Sequence, residues 1–487
     1  MAEWATVNLY RHTFYNLVGS LAPMAVSFVT VPLYLRAIGD IRYGVLALTW
    51  LFVGYFGVFD LGLSRAAAFQ LAQLADAAAQ ARERVFWTAV TLNLGFGLIG
   101  SVVLFAVARV AFSAGFSMPA AMRSEVLASL PWIASALPLA TVSGVMVGAL
   151  QGRERFGLMN AIGFVNTALT QFVPLVVAWA AGPNLSLLIA ATVVARGVGV
   201  LVLFVALWRT MPLGRSVSFD RRRARQLFSY GGWIAVTNFV SPILDTMDRL
   251  LIGALLSAQA VTYYTVPYNV VTQALILPGA LTTSAFPQLT RLDRDSSHKL
   301  GTQAVVVVGA VMSLVVISGI IVLPIFLRWW VGAEIAFHAA PVGMVLLLGV
   351  WMNGLAYVPY TELQARNRPD LTAKFHLIEL VPFLMLLAGG VYLYGLLGAA
   401  LAWSIRVGLD AVLLFGASQR MADLRAVVPG AVLAVVASLV APSDIVSLQS
   451  LCAIAVLMVA ITWAALTMKP WFEPPAWCRR ELRHHPL

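Results

Sequence analysis

Long apolar runs separated by short polar joints organise this chain. Fourteen such runs occupy residues 13–35, 44–69, 86–112, 125–150, 158–181, 185–208, 229–256, 260–289, 302–327, 338–362, 374–394, 396–419, 426–442 and 446–468. A helix needs about 20 mostly apolar residues to cross the hydrocarbon core. The runs are continuous rather than alternating at every second position, so they predict α-helices. The other structure that satisfies its backbone in lipid, a closed β-barrel, needs that alternation. The pattern therefore predicts an all-α polytopic membrane protein of about 14 transmembrane helices. The thirteenth run is short, which suggests a twelve-span core with two further spans. The first run lacks a small-x-small exit site and predicts an uncleaved anchor.

Composition agrees: 60% of residues are hydrophobic, 11% are charged and the mean hydropathy is +0.86. Charge placement then orients the spans. Of the 32 Lys and Arg, five Arg lie inside runs and four (Arg36, Arg42, Arg123 and Arg328) in loops on one side, which leaves 23, counting Lys374 at the very edge of its run, on the other side with both termini. Basic loops stay cytoplasmic, so the N- and C-termini are expected there. The same asymmetry accounts for the net charge of +11 without nucleic acid as a partner. The densest cluster, Arg221, Arg222, Arg223 and Arg225, reads as a cytoplasmic link lying near anionic headgroups. Cys452 and Cys478 lie apart, and the histidines have no ligand spacing, so neither a disulfide nor a metal site is predicted.

The chain also repeats itself. Leu150-Gln151-Gly152-Arg153-Glu154-Arg155 ends span four, and Leu363-Gln364-Ala365-Arg366-Asn367-Arg368 ends span ten, 213 residues later, with four identities in six. Arg196 and Ala190 in span six match Arg406 and Ala400 in span twelve at an offset of 210, and Tyr43 matches Tyr263 at 220. A repeat of six helices begins on the same side each time, so the halves are parallel, around a central cavity. The expected organisation is an N-lobe at 1–208 (spans one to six), a basic cytoplasmic linker at 209–228, a C-lobe at 229–420 (spans seven to twelve), and spans thirteen and fourteen with the tail at 421–487.

An ionised side chain at mid-membrane costs about 2.5–3.5 kcal/mol on insertion scales, so such groups usually face protein or a wet cavity. The runs hold five Arg (Arg65, Arg109, Arg196, Arg249, Arg406) and six carboxylates (Asp60, Asp245, Asp248, Glu362, Glu379, Asp410). Asp245 with Arg249, and Arg406 with Asp410, are four apart on one helix face, so each pair can neutralise itself. Arg109 is close enough to the outer edge to snorkel, and Glu362 is near the cytoplasmic edge, within reach of water. Arg196 has no carboxylate within four residues and must find a partner on another helix or on a ligand. Arg65 is similar but nearer a membrane edge, where snorkelling competes. Asp60 and Asp248 can serve ion or proton coupling, or structural pairing. Asn16, Asn93, Asn166, Gln171, Asn238, Asn269, Gln273 and Asn353 also lie within spans, where they can face a polar lumen or bond between helices.

Several segments carry a family resemblance. Asn16 through Pro23, then Thr30-Val31-Pro32-Leu33-Tyr34-Leu35-Arg36 with Gly39, Tyr43 and Gly44, resembles the opening of polysaccharide-transporter flippases. Phe59-Asp60-Leu61-Gly62-Leu63 with Arg65, and Asp245-Thr246-Met247-Asp248-Arg249 with Gly253 and Tyr264, resemble later segments of the same proteins. These are Wzx-type lipid-linked oligosaccharide flippases of the multidrug/oligosaccharidyl-lipid/polysaccharide exporter superfamily. The resemblance implies a flippase that moves an undecaprenyl-pyrophosphate-linked oligosaccharide across the bacterial inner membrane by alternating access. An ion gradient or membrane potential would drive it, without a cofactor or ATP. It implies Arg196 and Arg249 as first substrate contacts, then Arg406 and Arg65. Asp60, Asp248, Asp245, Glu379 and Asp410 are the ion-coupling candidates. Its partners would be the lipid-linked oligosaccharide, membrane lipids and polysaccharide polymerase machinery. The number of carboxylates departs from a simple anion cavity, and the alternative is a cation-coupled multidrug antiporter of the same superfamily. An enzyme is disfavoured because no external loop exceeds about a dozen residues between spans of the required length, and an ATP-driven pump because no Gly-Lys-Ser/Thr phosphate loop is present.

Overall fold

The computed structural model describes residues 2–55, 59–60, 62–74, 79–115, 119–153, 155–211, 219–225, 244–282, 294–366, 368–440 and 448–472. Among them all regular structure is helical, and nine helices are long and apolar enough to cross a membrane. In chain order α1 is Ala2–Tyr55, α2 Leu63–Gln73, α3 Ala79–Val110, α4 Ala120–Gly152, α5 Phe156–Ala181, α6 Leu185–Thr210 and α7 244–255. There follow α8 Ala258–Val271, α9 276–282, α10 Arg294–Val331, α11 Ala333–Ala365, α12 Pro369–Ala417, α13 Leu424–Leu439 and α14 Leu448–Phe472.

Glycine backbone freedom explains where helix count and span count differ. α1 bends at Gly39 (φ 76°) and α12 at Gly395 (φ 58°), so each joins two expected spans through a left-handed residue that a side chain would strain. The expected second run, 44–69, breaks at Gly62 (φ 73°), after which α2 starts at Leu63; residues 56–58 and 61 lie outside the described residues. The eighth run, 260–289, tightens into a 3₁₀ turn at Thr272–Leu275 just before Pro278, which has no N–H to continue the α-helical ladder. Of the seventh run, 229–256, residues 229–243 lie outside the described residues.

Contacts group the chain into two units, Met1–Thr262 and Tyr263–Leu487. In the first unit α4 packs on α2, α3 and α6, while α5 packs on α1 and α6. Lipid is as apolar as a leucine, so helices associate here through close packing and polar bonds rather than through apolar patterning. Gly148 lets α4 lie directly on the Ser64 carbonyl of α2, and Gly97 of α3 sits 2.8 Å from Pro138 of α4 at the position a Cβ would take. Pro138 has no N–H for the Ala134 carbonyl, and the Ser101 hydroxyl donates to that carbonyl at 2.6 Å. The start of α8 is tied to the bend of α1: Gln259 Nε2 donates to Asp40 Oδ2 at 2.7 Å, and Thr262 Oγ1 donates to the Asp40 carbonyl at 2.6 Å.

In the second unit α10 packs on α11, α13 and α14, and α11 packs on α12. The two arms of α12 meet through Gly390 and Gly398, each against the backbone of the other. Glu362, expected within reach of water, is instead buried. Arg420 binds both of its oxygens and also donates to Asp423 Oδ2 at 3.0 Å and Thr302 Oγ1 at 3.3 Å. Arg366 adds a second bond to Glu362. The cause is tertiary: the turn after α12 folds Arg420 back over the end of α11.

The turn that closes α4 recurs at the end of α11. Arg155 N–H donates to the Leu150 carbonyl at 2.9 Å and Arg153 N–H to Ala149 at 3.2 Å; Arg368 donates to Leu363 at 2.8 Å and Arg366 to Glu362 at 2.9 Å. Each bond lies 213 residues from its counterpart, the offset of the sequence match. Gly182 and Gly395, both with positive φ, are also 213 apart.

Candidate functional site

α6 shows three kinds of surface. Val194, Val198, Leu201, Val205 and Trp208 are exposed at spacings of three and four, the stripe expected to meet lipid tails. Leu188, Ala195, Gly199, Leu203 and Leu207 form the buried face. Ile189, Thr192, Val193 and Arg196 share a third direction, and there the helix borders a cavity of about 300 Å³. Arg196 is the twelfth of the 26 residues of α6, close to its middle.

The rest of the wall comes from three other helices of the same unit: Thr49 and Trp50 of α1, Ile133 and Ala136 of α4, and Asn166, Thr170 and Gln171 of α5. Tyr34, Tyr43 and Trp50 form an aromatic cluster with ring centroids 5.9–6.4 Å apart, which braces the Trp50 side of the cavity. Tyr34 also donates to the Gln171 carbonyl at 2.6 Å. Pro174, inside α5, lacks the N–H that the Thr170 carbonyl would otherwise accept from, one residue before that contact. The hydroxyls of Thr49, Thr170 and Thr192 each donate to the carbonyl four residues back, at 2.9–3.0 Å. Their donor capacity is thus used within the helix, and their lone pairs remain. Gly199 gives α6 room against the Asn166 side chain, whose Oδ1 is buried without a hydrogen bond.

Among the described residues Arg196 is the single ionisable group in this lining. Among the described residues no hydrogen bond or ion pair reaches its guanidinium. A planar five-donor cation beside amides and an indole face suits an anionic oxygen ligand, above all one with paired oxygens such as a phosphate. Among the described residues no carboxylate lines the cavity.

None of the other sequence candidates is among the described residues that line this cavity. Asp60 accepts hydrogen bonds from the Ser64 N–H at 3.1 Å and from the Ser64 hydroxyl, so its carboxylate is turned onto the first turn of α2. The Arg65 side chain lies outside the described residues. On α7, Asp248 is buried, and its Oδ1 accepts from Arg249 Nε at 3.2 Å and from the Arg249 backbone N–H at 2.7 Å. Arg249 also donates to the Asp245 backbone carbonyl, while Asp245 itself is exposed. Helical spacing pointed to Asp245 as the partner of Arg249; the adjacent Asp248 also reaches it by folding back on the backbone. In the second unit Arg406 lies over the Phe383 ring at 5.6 Å, and Glu379 and Asp410 face each other across the two arms of α12.

Of the cavity residues, Arg196, Asn166 and Gln171 carry a sequence signal as polar groups inside apolar runs. Thr49, Trp50, Thr170 and Thr192 do not stand out, because threonine and tryptophan are ordinary in spans. Only the position of Thr192, four residues before Arg196, hints that it shares the arginine's face.

Comparisons with known proteins bear on this geometry. Residues 36–339, which are 304 of the 487, match the polysaccharide biosynthesis protein family. A Shigella flexneri protein named "Putative O-antigen transporter" is 28% identical over 423 residues, covering 86% of this chain and 99% of its own length. The structure of the lipid II flippase MurJ in an inward closed conformation superposes with a TM-score of 0.72 at 12% identity, covering 95% of this chain and all of the other. The inward-facing structure of a multidrug resistance MATE family transporter of the MOP superfamily gives 0.66 at 14% identity, covering 85% of this chain and 95% of the other. At these identities the two structures establish a shared fold.

Proposed function

Because the chain belongs to the polysaccharide biosynthesis protein family, we propose that it is a transporter and not an enzyme: a flippase for a lipid-linked oligosaccharide, with undecaprenyl pyrophosphate as the lipid carrier. It works by alternating access in the bacterial inner membrane, with both termini cytoplasmic, driven by an ion gradient or the membrane potential, and it hands its product to polysaccharide polymerase machinery. The six-helix lobes joined by the basic linker at 209–228 are the bodies that rock. The observation that carries the reading is Arg196, the one charge among the described residues that line a partly polar cavity halfway along α6. A cavity of about 300 Å³ is at the small end of ligand sites. It has room for a pyrophosphate or a single sugar, so it holds the anionic head while the rest of the glycan lies outside it. The fold is equally compatible with a cation-coupled drug antiporter. That the described lining holds an arginine and no carboxylate favours the flippase over that alternative.

Arg249, Arg406 and Arg65 stand behind Arg196 as substrate contacts. Arg249 is engaged by Asp248, and Arg406 is buried over Phe383. The test is surface polysaccharide in a strain that depends on this chain. Arg196→Ala should abolish it, with the protein still present in the membrane and lipid-linked glycan accumulating inside. Arg196→Lys should restore only part, because an ammonium lacks the guanidinium fork. Normal export by Arg196→Ala would remove the residue from the mechanism.

A further inference from the structure

The second unit holds an ionisable cluster that the Arg196 cavity does not use. Glu379 lies 16 positions before the Gly395 bend of α12 and Asp410 lies 15 after it, so the two stand at the same height on facing arms. That height is roughly 23 Å from the bend at 1.5 Å per residue. Glu379 is 6% exposed, and neither of its carboxylate oxygens has a hydrogen-bond donor; Asp410 Oδ1 also lacks one. The nearest bases are on the same hairpin. Arg406 acts on both carboxylates from one turn above Asp410, and His376 acts on Asp410 from the other arm. Arg406 is fixed over Phe383, itself one turn from Glu379.

The helix packed against the hairpin supplies no further compensation. Of the described titratable groups of α11, Glu362 is bound by Arg366 and Arg420, His338 stacks on Tyr263, Tyr357 lies beside Gly279, and Glu334 and Tyr360 are exposed. In the turn after α12, Asp423 is bound by Arg420. With His376 neutral, two facing carboxylates and one guanidinium carry a net charge of −1, with both carboxylates acting as acceptors and nothing donating between them. One proton removes both defects. It forms an O–H on one carboxyl, that O–H donates to the other, and the cluster becomes neutral.

We propose that Glu379 and Asp410 form a single site that binds one proton between the arms of α12. Loss of the proton leaves two like charges in contact within an apolar hairpin and drives the arms apart at that level, while the Gly390–Gly398 contact holds them near the bend. The site gives the hairpin two states that differ by one proton. It does not depend on what the chain carries, so it stands or falls separately from the flippase reading.

Infrared difference titration of the purified full-length protein tests it. The wild type should show a protonated buried-carboxyl C=O band that titrates with uptake of one proton, and Glu379→Gln or Asp410→Asn should each abolish the whole band. Arg406→Gln, which keeps the pair but removes the neighbouring positive charge, should move the midpoint to higher pH. A wild type without a titrating band overturns the proposal, even if the variants fail to fold. So do two bands each lost with only its own substitution, an unmoved midpoint in Arg406→Gln, or a band that answers to sodium at fixed pH.

Discussion

The Arg420–Glu362 bond offers the sharpest energetic test of the second unit. Both side chains are withdrawn from solvent, at 0% and 1% exposure, and Arg420 reaches Glu362, Asp423 and Thr302 together. Arg420→Met removes the only fully buried cation of this cluster. Glu362 then keeps Arg366, whose side chain is 34% exposed and so compensates only in part. Breaking a buried pair in this way costs about 3–5 kcal/mol. Glu362→Gln is milder: Arg420 retains Asp423, Thr302 and the amide oxygen, and the loss is one charged hydrogen bond, about 1.5–3 kcal/mol. Both variants take Arg420 from Asp423, but replacing both residues by Met no longer leaves Glu362 buried without Arg420, so the double variant should be more stable than Arg420→Met. The assay is detergent-titration unfolding of purified protein followed by circular dichroism, read as a double-mutant cycle. A coupling of about 2 kcal/mol is expected for residues in direct contact. Additive single losses, or an Arg420→Met variant as stable as the wild type, would refute the reasoning.

Two further predictions follow from local geometry. A Cβ on Gly398 would collide with the Gly390 carbonyl, a backbone atom that cannot turn aside, so Gly398→Val should deplete folded protein in membranes; Gly389→Ala, with nothing within 4 Å, should not. Asp220 accepts from the backbone N–H of Arg222 at 2.8 Å and of Arg223 at 3.2 Å, so Asp220→Ala should speed tryptic cleavage at Arg221–Arg225 in the detergent-solubilised protein. The Arg223 N–H chiefly holds this carboxyl below its ordinary value of 3.8, against a smaller opposing effect of burial and helped by Arg222 and by the Arg223 and Arg84 charges. A carboxyl lowered in the folded state stabilises above its unfolded value and loses that effect as pH falls through the lowered one. Hydrogen exchange of residues 221–225 should therefore gain no protection-loss from this group until the pH drops below about 4. Loosening at neutral pH in the unaltered chain would contradict that assignment.

Apolar run length, basic-loop asymmetry and the 213-residue match were readable in the sequence because each depends on composition or on identity between distant segments. Arg196 was readable for a related reason: an arginine in mid-run with no carboxylate within four residues must look elsewhere. Which charges actually meet was not readable. Glu362 finds Arg420 58 residues away, and Glu379 faces Asp410 31 residues away, across a bend that one glycine permits. Asp60, a coupling candidate by its depth in the second run, turns onto Ser64 because the helix breaks before Leu63. Helical periodicity speaks only for neighbours within a turn or two. In lipid, where apolar faces do not choose partners, small residues and polar contacts choose them instead. The sequence alone therefore determined that this is a helical membrane protein with costly charges inside it. Only tertiary packing determined which of those charges are cancelled and which face open space.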